Sequence, residues 1–209
     1  MTSFQIFQIE KNNEDIRQAV LTNTVKMLTE RSILNADGIE SNIKKLIDMT
    51  PDDNIYILDK NKYKEKEKPQ IAIKIFNSKI TSISKQSAIN DFLNKHQQYH
   101  KIIIVKSINT KTSQYLTTNF SDTELFLEHN LMINLIDNVL VPRYEVLEKE
   151  SDDYKTFCDM FQCKKRNIPK LLFNDPMARY YNLKKGDIVR VIRPSETSAY
   201  SPSYRIVVN

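Results

Sequence analysis

The apolar positions first recur at helical spacing. Ile16, Val20, Thr24, Met27 and Leu28 follow the acids Glu14 and Asp15, which suit the positive end of a helix, so an amphipathic helix is expected over Ile16 to Leu28. A shorter one is expected over Ser41 to Asp48, with Ile39, Ile43, Leu46 and Ile47 on one face and Asp37-Gly38 as the break before it. The pattern then becomes strand-like. Asn54 to Leu58 and Gln70 to Phe76 are short and β-branched, and the polar stretch Asp59 to Pro69 between them reads as a solvated hairpin loop carrying the charged run Lys60 to Lys68. Ser84 is placed to cap a helix reaching Tyr99 that buries Ala88, Ile89, Phe92, Leu93 and His96, and the strand Lys101 to Lys106 follows. Thr123 to Phe126 and Leu131 to Leu135 are strand-sized as well. This order of helices and strands describes an α/β or α+β domain with a mixed sheet.

Near Val139 the composition changes: arginine takes over from lysine, and six of the eight arginines lie from Arg143 onward. A boundary is therefore expected between residues 1–138 and 139–209. In the second part, Ser151 is a candidate N-cap, with Asp152 and Asp153 in the first turn and Tyr154, Phe157, Cys158 and Phe161 on one buried face. Asp175-Pro176 opens a short helix, because the aspartate accepts from free N–H groups and proline fits the first helical position. Asn182 tolerates the left-handed conformation that ends it, and Gly186 supplies a turn with positive φ before the strand Ile188 to Arg193. A last strand, Tyr204 to Val208, closes a small α+β domain whose core takes Ile188, Val191, Ile192, Ile206 and Val208.

With 209 residues and 40% hydrophobic content, the chain can bury a core without metals or disulfides. The run Ile102 to Val105 is strand-sized and far below the ~20 residues of a membrane span. Met1-Thr2-Ser3-Phe4 lacks the basic-then-apolar order of a secretory leader, so none is expected. Two cysteines, Cys158 and Cys163, are too few for a disulfide framework or a four-ligand zinc site, and a reducing compartment is expected. A net charge of +5 from 31 basic and 26 acidic groups favours a polyanionic neighbour without the one-signed field of a dedicated nucleic-acid binder. The two glycines and the abundance of Ile, Asn and Lys are the usage of an AT-rich coding sequence.

The last third carries a series of blocks in order: Leu140-Val141-Pro142, Ile168-Pro169-Lys170-Leu171, Asp175-Pro176-Met177-Ala178-Arg179-Tyr180-Tyr181, Leu183-Lys184-Lys185-Gly186, Ile192-Arg193-Pro194-Ser195-Glu196-Thr197 and Tyr204-Arg205-Ile206-Val207-Val208. Together they resemble the assembly domain of the fifth common subunit of eukaryotic RNA polymerases, a family that archaea share in a shorter form without the jaw. Val25-Lys26-Met27-Leu28 resembles that family's first helix, and Leu125-Phe126-Leu127 with Leu131 to Leu135 its domain exit; the long segment before the assembly domain is similar to the jaw of the eukaryotic form. With the AT-driven composition, the resemblance points to a copy encoded by a large cytoplasmic DNA virus, such as one of African swine fever type.

The resemblance implies a non-catalytic subunit of a multisubunit DNA-directed RNA polymerase, present in one copy and not as a homo-oligomer, with no cofactor or metal. It would dock on the largest subunit and its neighbours through the assembly domain. Directional polar groups suit such a face, and the expected interface residues are Asp175, Pro176, Arg179, Tyr180, Lys184, Gly186, Arg193, Ser195, Glu196, Thr197, Tyr204 and Arg205. The competing role is intrachain: Arg193 and Glu196 flank a Pro-Ser turn and are placed to pair with each other. The jaw would lie beside downstream duplex DNA, touching phosphates weakly and without reading sequence, through a loop bearing Lys106, Thr110 and Lys111. Where the family often has a Thr-Pro pair, this loop has no proline. A viral copy would work in the host cytoplasm and be packaged in the virion; a cellular one would be nuclear.

Three other chemistries have an outline in the chain. Asp52 before one strand and Lys74 on the next suggest a magnesium nuclease, but Ala72 stands where the second carboxylate is required, which leaves a nuclease-fold DNA-binding protein without activity as the alternative function. His96 and His100 have the spacing of helix-borne zinc ligands, but Gln97 replaces the glutamate base of a metalloprotease, and helix-surface histidines are expected. Cys158 reads as a buried thiol and Cys163 as a bystander.

Overall fold

The computed structural model describes residues 12–49, 53–61, 68–80, 87–162 and 167–208, which fall into two compact units, residues 1–133 and 134–209. The division lies upstream of Val139 because Asn134 belongs to the second unit's polar core, where its Oδ1 accepts from the Tyr180 hydroxyl at 3.0 Å.

In the first unit, helix α1 (Asn13–Glu30) starts at Asn12, whose side chain accepts from the Asp15 N–H, and buries Val20, Leu21, Thr24, Val25, Met27 and Leu28. It packs with α2 (Ile39–Asp48) and α5 (Glu128–Leu131). Strands β1 (Ile55–Asp59), β2 (Gln70–Phe76), β3 (His100–Val105) and β4 (Thr123–Leu127) form one sheet in that order, β1 antiparallel to β2 and the rest parallel. This is the expected mixed sheet. Lys101 to Val105 of β3 are buried without interruption, as an interior strand of a parallel sheet covered on both faces requires. Edge strand β1 instead alternates, with Tyr56 and Leu58 buried and Ile57 exposed. Helices α3 (Ala88–Lys95) and α4 (Thr110–Asn119) place Ile89, Phe92, Leu93 and Leu116 against Ala72, Phe76, Ile103, Val105 and Leu125. The β1–β2 connection is closed by Lys60 N–H donating to the Pro69 carbonyl at 2.8 Å, while residues 62–67 of the charged run lie outside the described residues.

Several expectations are corrected. Ser84 lies outside the described residues; the cap of α3 is Ser87, whose hydroxyl accepts from the Asn90 N–H, and the helix stops at Lys95 rather than Tyr99. Ala88 is exposed at its first turn and His96 is only half-buried. Leu131 to Leu135 is not a strand: it spans the end of α5 and a 3-10 turn, Leu135–Asp137, because the Leu127-to-Leu131 segment turns helical as soon as β4 ends.

In the second unit, β5 (Arg143–Leu147), β7 (Ile188–Ser195), β8 (Ala199–Val208) and β6 (Lys170–Leu172) form a sheet in that spatial order, with β6 parallel to β8 and the other pairs antiparallel. Helix α6 (Asp152–Phe161) contributes Phe157 to one face, with Leu147, Ile168, Ile188 and Ile206. Helix α7 (Pro176–Tyr180) contributes Ala178 to the other, with Leu171, Leu183, Val189, Val191 and Val207. The neighbours Ile188/Val189 and Ile206/Val207 thus serve opposite faces, as the two-residue strand period dictates. Ile192 and Val208 are half-buried rather than core. Cys158 is exposed, correcting the buried thiol, because Phe157 takes the inward position of α6 and the next residue turns outward. Phe161 is also 48% exposed, although its ring meets Phe157 and Tyr204. Cys163 lies outside the described residues.

Candidate subunit interface

The helix and turn signals of the second unit are realised as read. The Asp175 carboxylate accepts from the Met177 N–H at 2.9 Å with Pro176 at the first position of α7, Asn182 adopts φ 49°, and Gly186 adopts φ 89°. Asp175 therefore caps a helix, and Gly186 shapes a turn. Tyr180 is buried and bonded to Asn134, so its side chain works inside the unit and offers no contact area outside it. Tyr204 packs on the α6 face, its ring 4.7 Å from Phe157, and is half-buried. Lys184 is exposed, its backbone N–H held by the Asp187 carboxylate at 2.7 Å, and Arg179 is half-buried.

The strand register sorts the remaining candidates. Arg193 lies opposite Ser201, Val191 opposite both Tyr144 and Ser203, and Val189 opposite Arg205, so Tyr144, Arg193 and Arg205 share the face that α7 covers. Tyr144 was not singled out in the sequence, yet it stacks on Tyr181 at 6.4 Å. Its hydroxyl is pushed above the usual tyrosine range by burial and then by the nearby Asp175 charge, against the opposing pull of Arg205 and Arg193, and so it remains a neutral donor and acceptor. No ion pair joins Arg193 to Glu196 among the described residues; Glu196 and Thr197 are exposed at the β7–β8 hairpin, where the Thr197 hydroxyl lies 3.4 Å from that of half-buried Ser195. Arg190 does make intrachain ion pairs: its guanidinium binds Glu145 at 2.6 Å and approaches Asp153 at 3.7 Å, on the opposite face.

In the first unit, Lys106 is exposed after β3, and Thr110 and Lys111 open the first turn of α4 behind the cap Asn109. They form a helix start where a loop was expected. Lys74 does not stand in a metal site: its ammonium lies 5.1 Å from the Phe76 ring and 5.5 Å from the Phe92 ring, beside fully buried Ala72, while Asp52 lies outside the described residues. His96 and His100 do not share a helix. His96 ends α3, and His100 begins β3, where its Nε2 meets Glu124 Oε1 at 2.7 Å. The same oxygen accepts from Arg31 at 2.9 Å. Burial acts to raise the Glu124 carboxyl, but the Arg31 charge and the His100 contact outweigh it and hold the carboxyl below the usual glutamate range. This triad, from the C-cap of α1, β3 and β4, has no motif in the sequence, since its members are far apart in the chain.

The blocks of the last third match the family model of the RNA polymerase Rpb5 C-terminal domain over residues 133–207. Across nearly its whole length the chain is similar to DNA-directed RNA polymerase subunit 5 of Acanthamoeba polyphaga mimivirus, 34% identical over 212 aligned residues that cover 97% of each chain. The chain belongs to the RNA polymerase subunit 5 family. Cellular relatives match over shorter stretches. The Dictyostelium discoideum subunit rpabc1 of RNA polymerases I, II and III is 32% identical over 56% of this chain and 61% of its own, and Caenorhabditis elegans RPABC1 is 38% identical over 41% and 39%. The mimivirus relative spans both units, and a mimivirus source gives the narrower African swine fever type no support. Membership also disfavours the free-standing nuclease-fold alternative. Among the described residues no helix is long and apolar enough to cross a membrane.

Proposed function

We propose that this subunit 5 homologue is a non-catalytic structural component of a multisubunit DNA-directed RNA polymerase, held to the largest subunit by its second unit and carrying its first unit beside downstream DNA. The observation that carries this reading is the alignment along 97% of both chains with a protein named as a DNA-directed RNA polymerase subunit. Arg193 and Arg205 are the candidate anchors, with Tyr144 on the same face, because planar guanidinium groups and amphipathic rings combine apolar area with directional bonding to carboxylates. Glu196, Thr197 and Lys184 are exposed and suit the rim. Asp175, Gly186 and Tyr180 act indirectly, by fixing α7 and the turn beneath that face. Lys106, Thr110 and Lys111 would touch phosphates, and the exposure of Lys106 after β3 and of Thr110 and Lys111 at the start of α4 supports that role. For a viral copy the site of action is the host cytoplasm and the virion.

The test is capture of tagged full-length protein from cells that make the polymerase. The two largest polymerase subunits should be recovered with it, and deletion from Val139 onward should abolish recovery. Recovery with residues 1–138 alone would reverse the division of labour, and no recovery with the intact chain would end the proposal.

A further inference from the structure

We propose that the free edge of β6 is a strand-addition site for a short extended segment of a partner polymerase chain that bears a carboxylate side chain; this rests on the polymerase-subunit reading above. β6 ends its sheet and pairs only with β8. Ile206 N–H donates to the Pro169 carbonyl at 2.9 Å, and Phe173 N–H to the Val208 carbonyl at 2.8 Å. In a parallel pair alternate residues give both backbone groups to the same neighbour, so Pro169, Leu171 and Phe173 are committed to β8 while Lys170 and Leu172 turn theirs outward. The outward Leu172 carbonyl accepts from Asp175 N–H at 3.0 Å. That leaves the Lys170 N–H and carbonyl and the Leu172 N–H without a protein partner among the described residues.

An open edge alone names no occupant, and natural edges are usually blunted by charge or cover. Here the surroundings select one. An open groove of about 380 Å³ runs along the edge, lined by Lys170, Leu171, Leu172, Asn174, Asp175 and Arg205. Among the described residues neither Arg205 nor Lys170 has an ion-pair partner, and the Asp175 carboxylate in the same groove is turned to the Met177 N–H. The planar guanidinium of Arg205, on the α7 side of the sheet with Leu171, matches a carboxylate, which it can bind through two parallel bonds. Leu172 and Phe173, 61% and 41% exposed, supply apolar area beside the backbone donors. Main-chain bonds would give such a segment its register, and the cation its selectivity.

The experiment compares amide hydrogen exchange, resolved to single residues, in the free full-length chain and in the assembled polymerase, together with recovery of Arg205→Glu and Arg205→Lys. In the assembly the Lys170 and Leu172 amides should slow at least tenfold, while those of Leu171 and Phe173, bonded to β8, are protected in both states. Recovery of Arg205→Glu with the polymerase should fall at least tenfold and that of Arg205→Lys should largely persist, with Leu171 protection reporting that each variant is folded. If wild type is recovered with the polymerase but the Lys170 and Leu172 amides exchange as in the free chain, strand addition is overturned and the subunit reading stands. If Arg205→Glu is recovered in full, the carboxylate assignment is overturned. Failure to recover wild type overturns the subunit reading and this proposal with it.

Discussion

Glu124 is bound by a guanidinium and an imidazole in a place where an unpaired charge is expensive. Its side chain is 9% exposed and that of Arg31 4%. Replacing Glu124 with Gln leaves Arg31 buried without its counter-charge, and the expected loss in unfolding free energy at pH 7 is about 3 kcal/mol or more. Because the folded carboxyl lies below its usual value, the stabilisation is complete above the ordinary glutamate pKa of about 4.3 and drains away as pH falls through the lower, folded value. Urea unfolding should therefore separate wild type from Glu124→Gln clearly at pH 7, and the gap should narrow as pH falls below the ordinary glutamate range. An undiminished gap in acid would show that the pair is held by something other than charge.

Among the elements, α7 shows how one residue type serves two readings. Asp175 is expected both to cap a helix and to lie at an interface; the structure shows the cap, which is where its stability effect should appear. Asp175→Ala should cost about 1 kcal/mol in the urea stability of the second unit, and Asp175→Asn, which still caps, much less. Loss of polymerase binding at unchanged stability would instead assign it an interface role. The elements legible in the sequence were those whose signal is local: the apolar run of β3, the Asp-Pro start of α7 and the left-handed Asn182 and Gly186. Helix α4 was missed because Thr110 to Asn119 is hydroxyl-rich and buries only Thr112 and Leu116, too few positions to set a helical period. Leu131 to Leu135 looked strand-like because a five-residue stretch with four apolar positions has no distinguishing period. The sharing of a face by Tyr144, Arg193 and Arg205 depends on strand register, which no single segment encodes.

For the whole molecule, the excess of 31 basic over 26 acidic groups is small, so DNA contact should be weak in isolation and matter only when the polymerase holds the duplex in place. A polymerase assembled with Lys106→Glu and Lys111→Glu should form normally, bind downstream duplex less tightly, and show a shallower salt dependence, by about 0.9 in log–log slope for each phosphate no longer neutralised. An unchanged slope would remove the first unit from the DNA path. The central claim is that this chain is an integral part of a transcribing enzyme, and the most direct measurement is its stoichiometry in active polymerase purified through the largest subunit. The expected result is one copy per enzyme, retained through a high-salt wash; a fully active polymerase that lacks the chain, or carries it only in traces, would contradict the account.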